Sequence, residues 1–374
     1  MKITDVEAII LRQPDVDPTK ADGSQDALLI RIHTDEGITG VGEVDSLPPV
    51  IKAIVDAPPS HAIASGLKHL LIGENPLEIE RLWDKLYRGS IYYGRRGPAI
   101  HAISGIDIAL WDIKGKALGQ PIYRLLGGPL RTKVRAYAST LMPSTPREVE
   151  TVVGDLVDRG FTAIKLGWGP FGQDPDLDIA LVRAARKAAG DGVELMLDIG
   201  LGWPDADHAI RQVRRLEEFR PYWIEEPLWP DLLDDYRKLA EAVETRIACG
   251  EEEATRWGFR ELMDRTGVDV IQPDVTRAGG ISECLRIAHL ADLRGIQMVP
   301  HAWSTGIIKA ASLHLLAAMP RATFLEYCVQ ETALNQALTT ERFPLVDGGF
   351  VAVPDGPGLG IEIDHEIVER YRVA

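Results

Sequence analysis

One period constrains this chain more than any other feature. Between residues 165 and 326, seven short apolar runs each end on an ionisable side chain. They are Lys165 in AIKLG, Asp198 in VELMLDI, Glu225 in YWIEEP, Glu251 in IACGE, Asp274 in VIQPD, His301 in MVPH and Glu326 in TFLEY. The steps between them are 33, 27, 26, 23, 27 and 25 residues, close to one strand plus one helix. Strands ending in charged groups at that spacing predict a (β/α)8-type, TIM-like barrel whose reactive side chains converge on one mouth.

The flanking sequence has other patterns. Residues 1–45 alternate like antiparallel strands, Lys2–Leu11, Ala27–His33 and Ile38–Val44, the last two joined by the turn signal Asp35-Glu36-Gly37. VDPTKADGSQD, between the first two, reads as a mobile polar loop. Residues 50–126 read as helical, with Pro98 opening a long segment through Ile103, Ile106, Leu110 and Ile113. Gly127-Gly128-Pro129 then breaks the chain. These divisions predict an N-terminal α+β capping domain (residues 1–127), a βα barrel (128–330) and a glycine-proline-rich tail (331–374) that returns to the capping domain. Within the barrel, Thr145-Pro146-Arg147-Glu148 is a capping box with proline at the first helical position. Val149, Val152, Val153, Leu156 and Val157 follow at helical period, and Gly160 stops the helix.

Composition narrows the function. Lys and Arg number 41 against 56 Asp and Glu, a formal charge of −15, with no basic run, so nucleic acid is a poor partner. That balance still permits an anionic substrate, because a bound divalent cation and a lysine reverse the sign locally. No apolar run approaches the roughly 18 residues of a membrane span. The start, MKITDVEAIILRQPD, carries acids within its apolar stretch and no small-residue cleavage site. Cys249, Cys284 and Cys328 are widely separated in apolar company. A cytoplasmic protein with reduced core thiols is expected. Neither a Walker A motif nor a complete G-x-G-x-x-G supports nucleotide chemistry.

Asp198, Glu225 and Glu251 end three consecutive predicted strands, so their oxygens should meet. Unpaired carboxylates that close repel and take up protons unless a hard cation such as Mg2+ holds them together. The alternative is solvated loop acids. Asp274 ends the strand before the one ending in His301, where a carboxylate can fix the imidazole tautomer and raise its basicity. A lone histidine after an apolar run, such as His314 in ASLHLL, is more often a packed core residue. Lys165 is unlike a strand-end core residue and needs a partner, either the site or a salt bridge to Asp198.

This ordered set resembles the enolase superfamily, in its mandelate racemase subgroup, over nearly the whole chain. ISGIDIALWDIKGKALGQPIYRLLGG (103–128) is similar to that family's last capping helix, and DGPGLGIEID (355–364) to its C-terminal return. The resemblance implies that Asp198, Glu225 and Glu251 ligate Mg2+, with Glu226 turned to the other face. It implies that the Asp274–His301 dyad moves a proton on one face of the substrate. Lys165 would lie beside the substrate carboxylate, and Glu326 would share a proton that stabilises the enolate. The family tends toward homo-oligomers.

One position departs from the pattern. The subgroup often carries Lys-X-Lys on the second barrel strand, the second lysine being the opposite base; here the triplet is Lys165-Leu166-Gly167. One remaining base suits elimination of a β-hydroxyl better than racemisation. The expectation is therefore an Mg2+-dependent acid-sugar dehydratase, a lyase, giving a 2-keto-3-deoxy acid. Alternatives are a 2-hydroxy-acid racemase or epimerase, a muconate-type cycloisomerase, or a non-catalytic sugar-acid-binding homologue. Trp168, Trp203 and Trp303 are candidate faces for stacking on a polyol, or else packing residues. Lys20 and its polar neighbours Asp17, Thr19, Asp22, Ser24 and Gln25 suit hydroxyl groups, favouring an aldonate or aldarate.

Overall fold

The computed structural model describes residues 1–61 and 63–373. Strands β1 (Ile3–Arg12), β2 (Asp26–Thr34) and β3 (Thr39–Val44) form an antiparallel sheet in that order. Helices cover it, the longest being Pro98–Leu118, which starts on proline and ends where Gly119 turns left-handed. This helix lies hard against β3. A Cβ at Gly40 or Gly42 would come within 2.1 or 2.0 Å of the carbonyl oxygens of Ala109 and Gly105. Asp112, on its buried face, accepts from the backbone N–H groups of Val41 and Leu359 at 3.0 Å each. That carboxylate thereby ties helix, sheet and C-terminal tail together.

The barrel strands are β4 (Lys133–Leu141), β5 (Ala163–Gly167), β6 (Glu194–Asp198), β7 (Trp223–Glu225), β8 (Arg246–Cys249), β9 (Val270–Ile271), β10 (Gln297–Met298) and β11 (Phe324–Cys328). They pair in parallel in chain order, and β11 returns to pair with β4. A bridge between Met298 and Ala322 closes the ring. Helices fill the connections, as in Pro146–Asp158, whose Thr145–Glu148 capping box is formed. The architecture is thus the expected barrel with an N-terminal capping domain.

Side chains along a strand alternate in direction. Tyr137, Ala163, Met196, Trp223, Ala248, Val270, Val299 and Phe324, one from each strand or its end, pack together as an apolar floor inside the barrel. Two residues further along the chain from each of these stand Ser139, Lys165, Asp198, Glu225, Gly250, Gln272, His301 and Glu326, within the strand or just past its end. The polar residues of the mouth therefore rest on a packed apolar layer.

The tail differs from expectation in one part. Strands β12 (Leu345–Val346) and β13 (Phe350–Ala352) form a hairpin, and β13 pairs antiparallel with Lys133–Arg135 of β4. This piece completes the barrel base rather than the capping domain. It can do so because β5 pairs with β4 only from Ala138 onward, leaving the lower backbone groups of β4 open. The remainder does reach the capping domain, where the Val373 N–H donates to the Ile10 carbonyl at 2.9 Å.

Candidate active site

A cavity of about 420 Å³ opens at the C-terminal end of the barrel, beneath the loop that carries Lys20–Gly23. Its walls include Lys165, Asp198, Glu251, Asp45, Arg277 and His301. Asp198, Glu225 and Glu251 each offer an oxygen, and all three oxygens lie within 4.8 Å of one another. Burial pushes each of these carboxyls up to about 7, with Lys165 or His301 pulling back against it. Three buried oxygens that resist ionising next to each other suit a hard divalent cation, so the donor set fits Mg2+. Glu226 turns away from the cluster: it is buried and accepts from Tyr236 Oη at 2.9 Å and from the Gly250 N–H.

Lys165 forms the centre of a charge cluster. Its Nζ contacts Glu225 and lies 2.8 Å from Glu326 Oε1 and 3.7 Å from Asp198 Oδ2. Burial would lower its pKa, but Glu225 and Glu326 override this and raise it well above the usual lysine value. The same ammonium makes the salt bridges and lines the cavity. Both oxygens of Glu326 accept. Oε1 takes Ser139 Oγ at 2.7 Å as well as Lys165, and Oε2 takes the Ala302 N–H at 2.7 Å. Burial acts to raise Glu326, yet Lys165 and His301 hold its carboxyl below the usual range, at about 2.

His301 Nδ1 is 2.7 Å from Asp274 Oδ2, and Nε2 is 3.5 Å from Glu251 Oε2. Against the effect of burial, Glu251, Glu326 and the Asp274 hydrogen bond raise the imidazole to about 10. Asp274 is held on its other oxygen by the N–H and hydroxyl of Thr276, each at 2.6 Å.

Gly167 marks the missing second base, and the structure shows why it is glycine. A Cβ there would sit 2.4 Å from Asp198 Cβ and 2.5 Å from the Asp198 carbonyl oxygen. No side chain fits between β5 and β6 at that level without displacing Asp198.

The tryptophans divide. Trp168 and Trp303 line the cavity, and Trp303 Nε1 donates to Asp22 Oδ1 at 3.1 Å, fastening the loop. Trp203 does not reach the cavity: it is 1% exposed and packed in the core, its ring 6.2 Å from that of His208. The loop after β6 folds back, its Trp203 N–H bonding to the Pro227 carbonyl at 3.1 Å, so this indole packs instead of facing substrate. Lys20 lies on the rim, its side chain 63% exposed and 4.0 Å from Asp17. His314 is the core residue its context suggested, bonded to the Leu359 carbonyl at 3.0 Å.

Asp45 and Arg277 are site residues that the sequence pattern did not single out. Arg277 donates from a terminal nitrogen to Asp45 Oδ2 at 2.7 Å and from Nε to the Asp45 carbonyl at 2.9 Å. Asp45, Asp274 and His301 also offer atoms within 4.8 Å of one another. Arg277 stands 2.7 Å from Asp45 Oδ2 and 3.7 Å from Asp274 Oδ2, so its guanidinium supplies that trio with a counter-charge. The one available signal was Arg277 in PDVTRAGG, three residues past Asp274.

Residues 4–127 match the family model described as mandelate racemase / muconate lactonizing enzyme, N-terminal domain, and residues 148–367 match enolase C-terminal domain-like. The chain belongs to this mandelate racemase/muconate lactonizing branch of the enolase superfamily, and it is an enzyme of the hydro-lyase kind. It is 38% identical to a D-galactonate dehydratase of Pectobacterium atrosepticum, covering 93% of this chain and 91% of that one. It is 36% identical to a D-galactarolactone cycloisomerase of Agrobacterium fabrum, covering 92% and 91%. The solved structure of 3,6-anhydro-D-galactonate cycloisomerase from Zobellia galactanivorans superposes with a TM-score of 0.91 at 32% identity, covering both chains in full. Among the described residues, no helix is long and apolar enough to cross a membrane.

Proposed function

We propose that this enzyme is an Mg2+-dependent dehydratase of an acid sugar, an aldonate or aldarate, which forms a 2-keto-3-deoxy acid. The observation that carries the reading is one-sidedness. His301, oriented by Asp274, faces the cavity, whereas the position for an opposing base is a glycine pinned against Asp198.

The roles follow from the contacts. Asp274 accepts the Nδ1 proton of His301 and leaves Nε2 toward the cavity to remove the proton α to the substrate carboxylate. The imidazolium then returns that proton to the β-hydroxyl on the same face, water departs, and the enol ketonises. Lys165, held by Glu326 and Glu225, donates toward the substrate carboxylate as charge builds there. Trp168, Trp303 and Lys20 border the space for the polyol chain. A divalent cation on Asp198, Glu225 and Glu251 would offset charge on the substrate carboxylate and cancel the Glu251 charge that keeps His301 protonated. This use of a histidine base with Mg2+ is the general scheme already described for the superfamily.

The resemblance to a D-galactonate dehydratase supports the substrate class. The two cycloisomerase relatives favour a second reading, in which the same α-proton abstraction expels a ring oxygen instead of a hydroxyl. A screen of aldonates, aldarates and their lactones, with Mg2+ and with EDTA, separates the two. Keto-acid formation from open-chain acids, abolished by EDTA, is the expected result, and a response to cyclic substrates alone overturns the dehydratase reading. The buried cysteines Cys249, Cys284 and Cys328 support a cytoplasmic setting.

A further inference from the structure

We propose that Glu43 and Asp45, carried by the capping sheet, are positioning residues for the Asp274–His301 pair on the barrel. Its kinetic test rests on the dehydratase reading above; its spectroscopic test does not.

Glu43 lies in β3 and Asp45 follows its end; two residues apart on an extended chain, they point to the same side. Both are buried at the junction with the barrel mouth. Glu43 Oε1 accepts from Ser304 Oγ at 2.7 Å and from the Thr305 N–H at 3.3 Å. Its Oε2 accepts from Thr305 Oγ1 at 2.8 Å and the Ile308 N–H at 3.0 Å. These donors open the helix Gly306–Ala318, where an anion is favoured, so a carboxylate of one domain caps a helix of the other. The segment it grips begins three residues after His301.

Asp45 grips the neighbouring loop. Its backbone N–H donates to Thr276 Oγ1 at 3.1 Å, and that hydroxyl donates to Asp274 Oδ1. Its carboxylate and carbonyl hold Arg277, whose Nε stands 3.7 Å from Asp274 Oδ2, the oxygen that faces His301. Each member of the proton-transfer pair is thus braced from the capping domain by its own carboxylate. General docking of the domains does not require this, because Trp83 bonds the Gly279 carbonyl at 2.8 Å, Trp111 bonds Ser282 at 2.8 Å, and Asp107 accepts from the Ser282 N–H at 3.0 Å. Two buried acids serving mere adhesion would duplicate contacts already present.

The test compares Glu43→Gln, Asp45→Asn and Arg277→Lys in the full chain with Mg2+. Each should lower kcat about tenfold to a hundredfold while KM and Mg2+ affinity stay within about threefold. Asp45→Asn combined with Arg277→Lys should fall little further than either alone, because the two act as one brace. A raised KM with unchanged kcat, or losses that multiply, overturns the proposal. Arg277→Lys keeps the charge and serves if a carboxylate variant fails to fold. Should the wild type dehydrate no acid sugar, the dehydratase reading fails, but the brace remains testable by proton NMR. The His301 Nδ1 proton, shared with Asp274, should give a downfield, slowly exchanging signal that broadens or vanishes in Glu43→Gln and Asp45→Asn. An unchanged signal in both variants refutes the brace.

Discussion

Gly167→Ala is the smallest change that tests how the site is built. Gly167 faces Asp198 across the parallel pairing of β5 and β6. An added methyl carbon would lie 2.4 Å from Asp198 Cβ and 2.5 Å from its carbonyl oxygen. Carbon atoms rest at about 3.5–4.0 Å, so the overlap is roughly 1 Å and falls on atoms anchored in strand backbone. A flexible side-chain tip could swing aside, but here β5 and β6 must part or Asp198 must move. Such overpacking costs about 1–3 kcal/mol of stability. Displacing a ligand or reacting group by about 1 Å costs on the order of a hundredfold in turnover. The expected result is a Mg2+ dissociation constant raised about tenfold to a hundredfold by titration calorimetry, with kcat reduced even at saturating metal. Gly167→Lys should likewise yield no racemase, because the new side chain displaces Asp198 before it can serve as a base. A Gly167→Ala protein that binds Mg2+ and turns over like wild type would refute the claim that Asp198 is walled in by this glycine.

The other predictions concern charge and burial. His301→Asn should keep Mg2+ affinity yet lose about 10²–10⁴-fold in turnover; retained turnover would return the protein to a binding role. Lys165→Met removes the ammonium shared by Asp198, Glu225 and Glu326, and should destabilise the metal-free protein by about 3–5 kcal/mol. Mg2+ should then raise its melting temperature more than it raises that of the wild type; equal gains would contradict the charge argument. His314 gives the fold a pH dependence of its own. Burial lowers its pKa to about 4, with the Leu359 carbonyl and Tyr123 N–H fixing the neutral ring. As pH falls below about 6.5 the unfolded chain takes up a proton that the folded chain refuses, so stability declines until about pH 4, by up to roughly 3 kcal/mol. Urea midpoints between pH 7 and 4 should fall less steeply in His314→Gln, and identical slopes would remove His314 as the cause.

What could be read from the sequence depended on whether a residue's position is set by strand period or by loop path. Lys165, Asp198, Glu225, His301 and Glu326 each stand two places beyond a floor residue, so alternation alone puts them in the mouth. Glu251 and Asp274 reach it differently. Gly250 and Gln272 hold the equivalent inward places, and Glu251 follows a glycine with φ of 120° while Asp274 lies two residues past Gln272. Their spacing looked regular in sequence because an offset of one or two residues vanishes within steps of 23 to 27. Trp203 misled for the complementary reason: nearness in sequence to Asp198 says nothing about which way a returning loop turns its indole. Asp45 and Arg277 lie 232 residues apart, and no local pattern announces a pair made by the docking of two domains.

A related distinction, between residues inside the strands and residues beyond their ends, bears on how the site works. Lys165, Asp198, Glu225 and Glu326 lie within hydrogen-bonded strands above a packed apolar floor, which suits groups proposed to hold a metal ion and a substrate carboxylate, whose task is to stay fixed. The proposed proton-transfer pair, like Glu251, sits on loop segments beyond the ends of its strands, where the barrel ladder no longer constrains the backbone. Those segments need an external restraint, and the capping strand supplies it through Glu43 and Asp45. On the proposed roles, the barrel strands fix most of the groups that stabilise charge, and the capping domain steadies the pair that moves the proton. Reactivity would accordingly depend on both domains even where every group that touches the substrate's reacting atoms belongs to one.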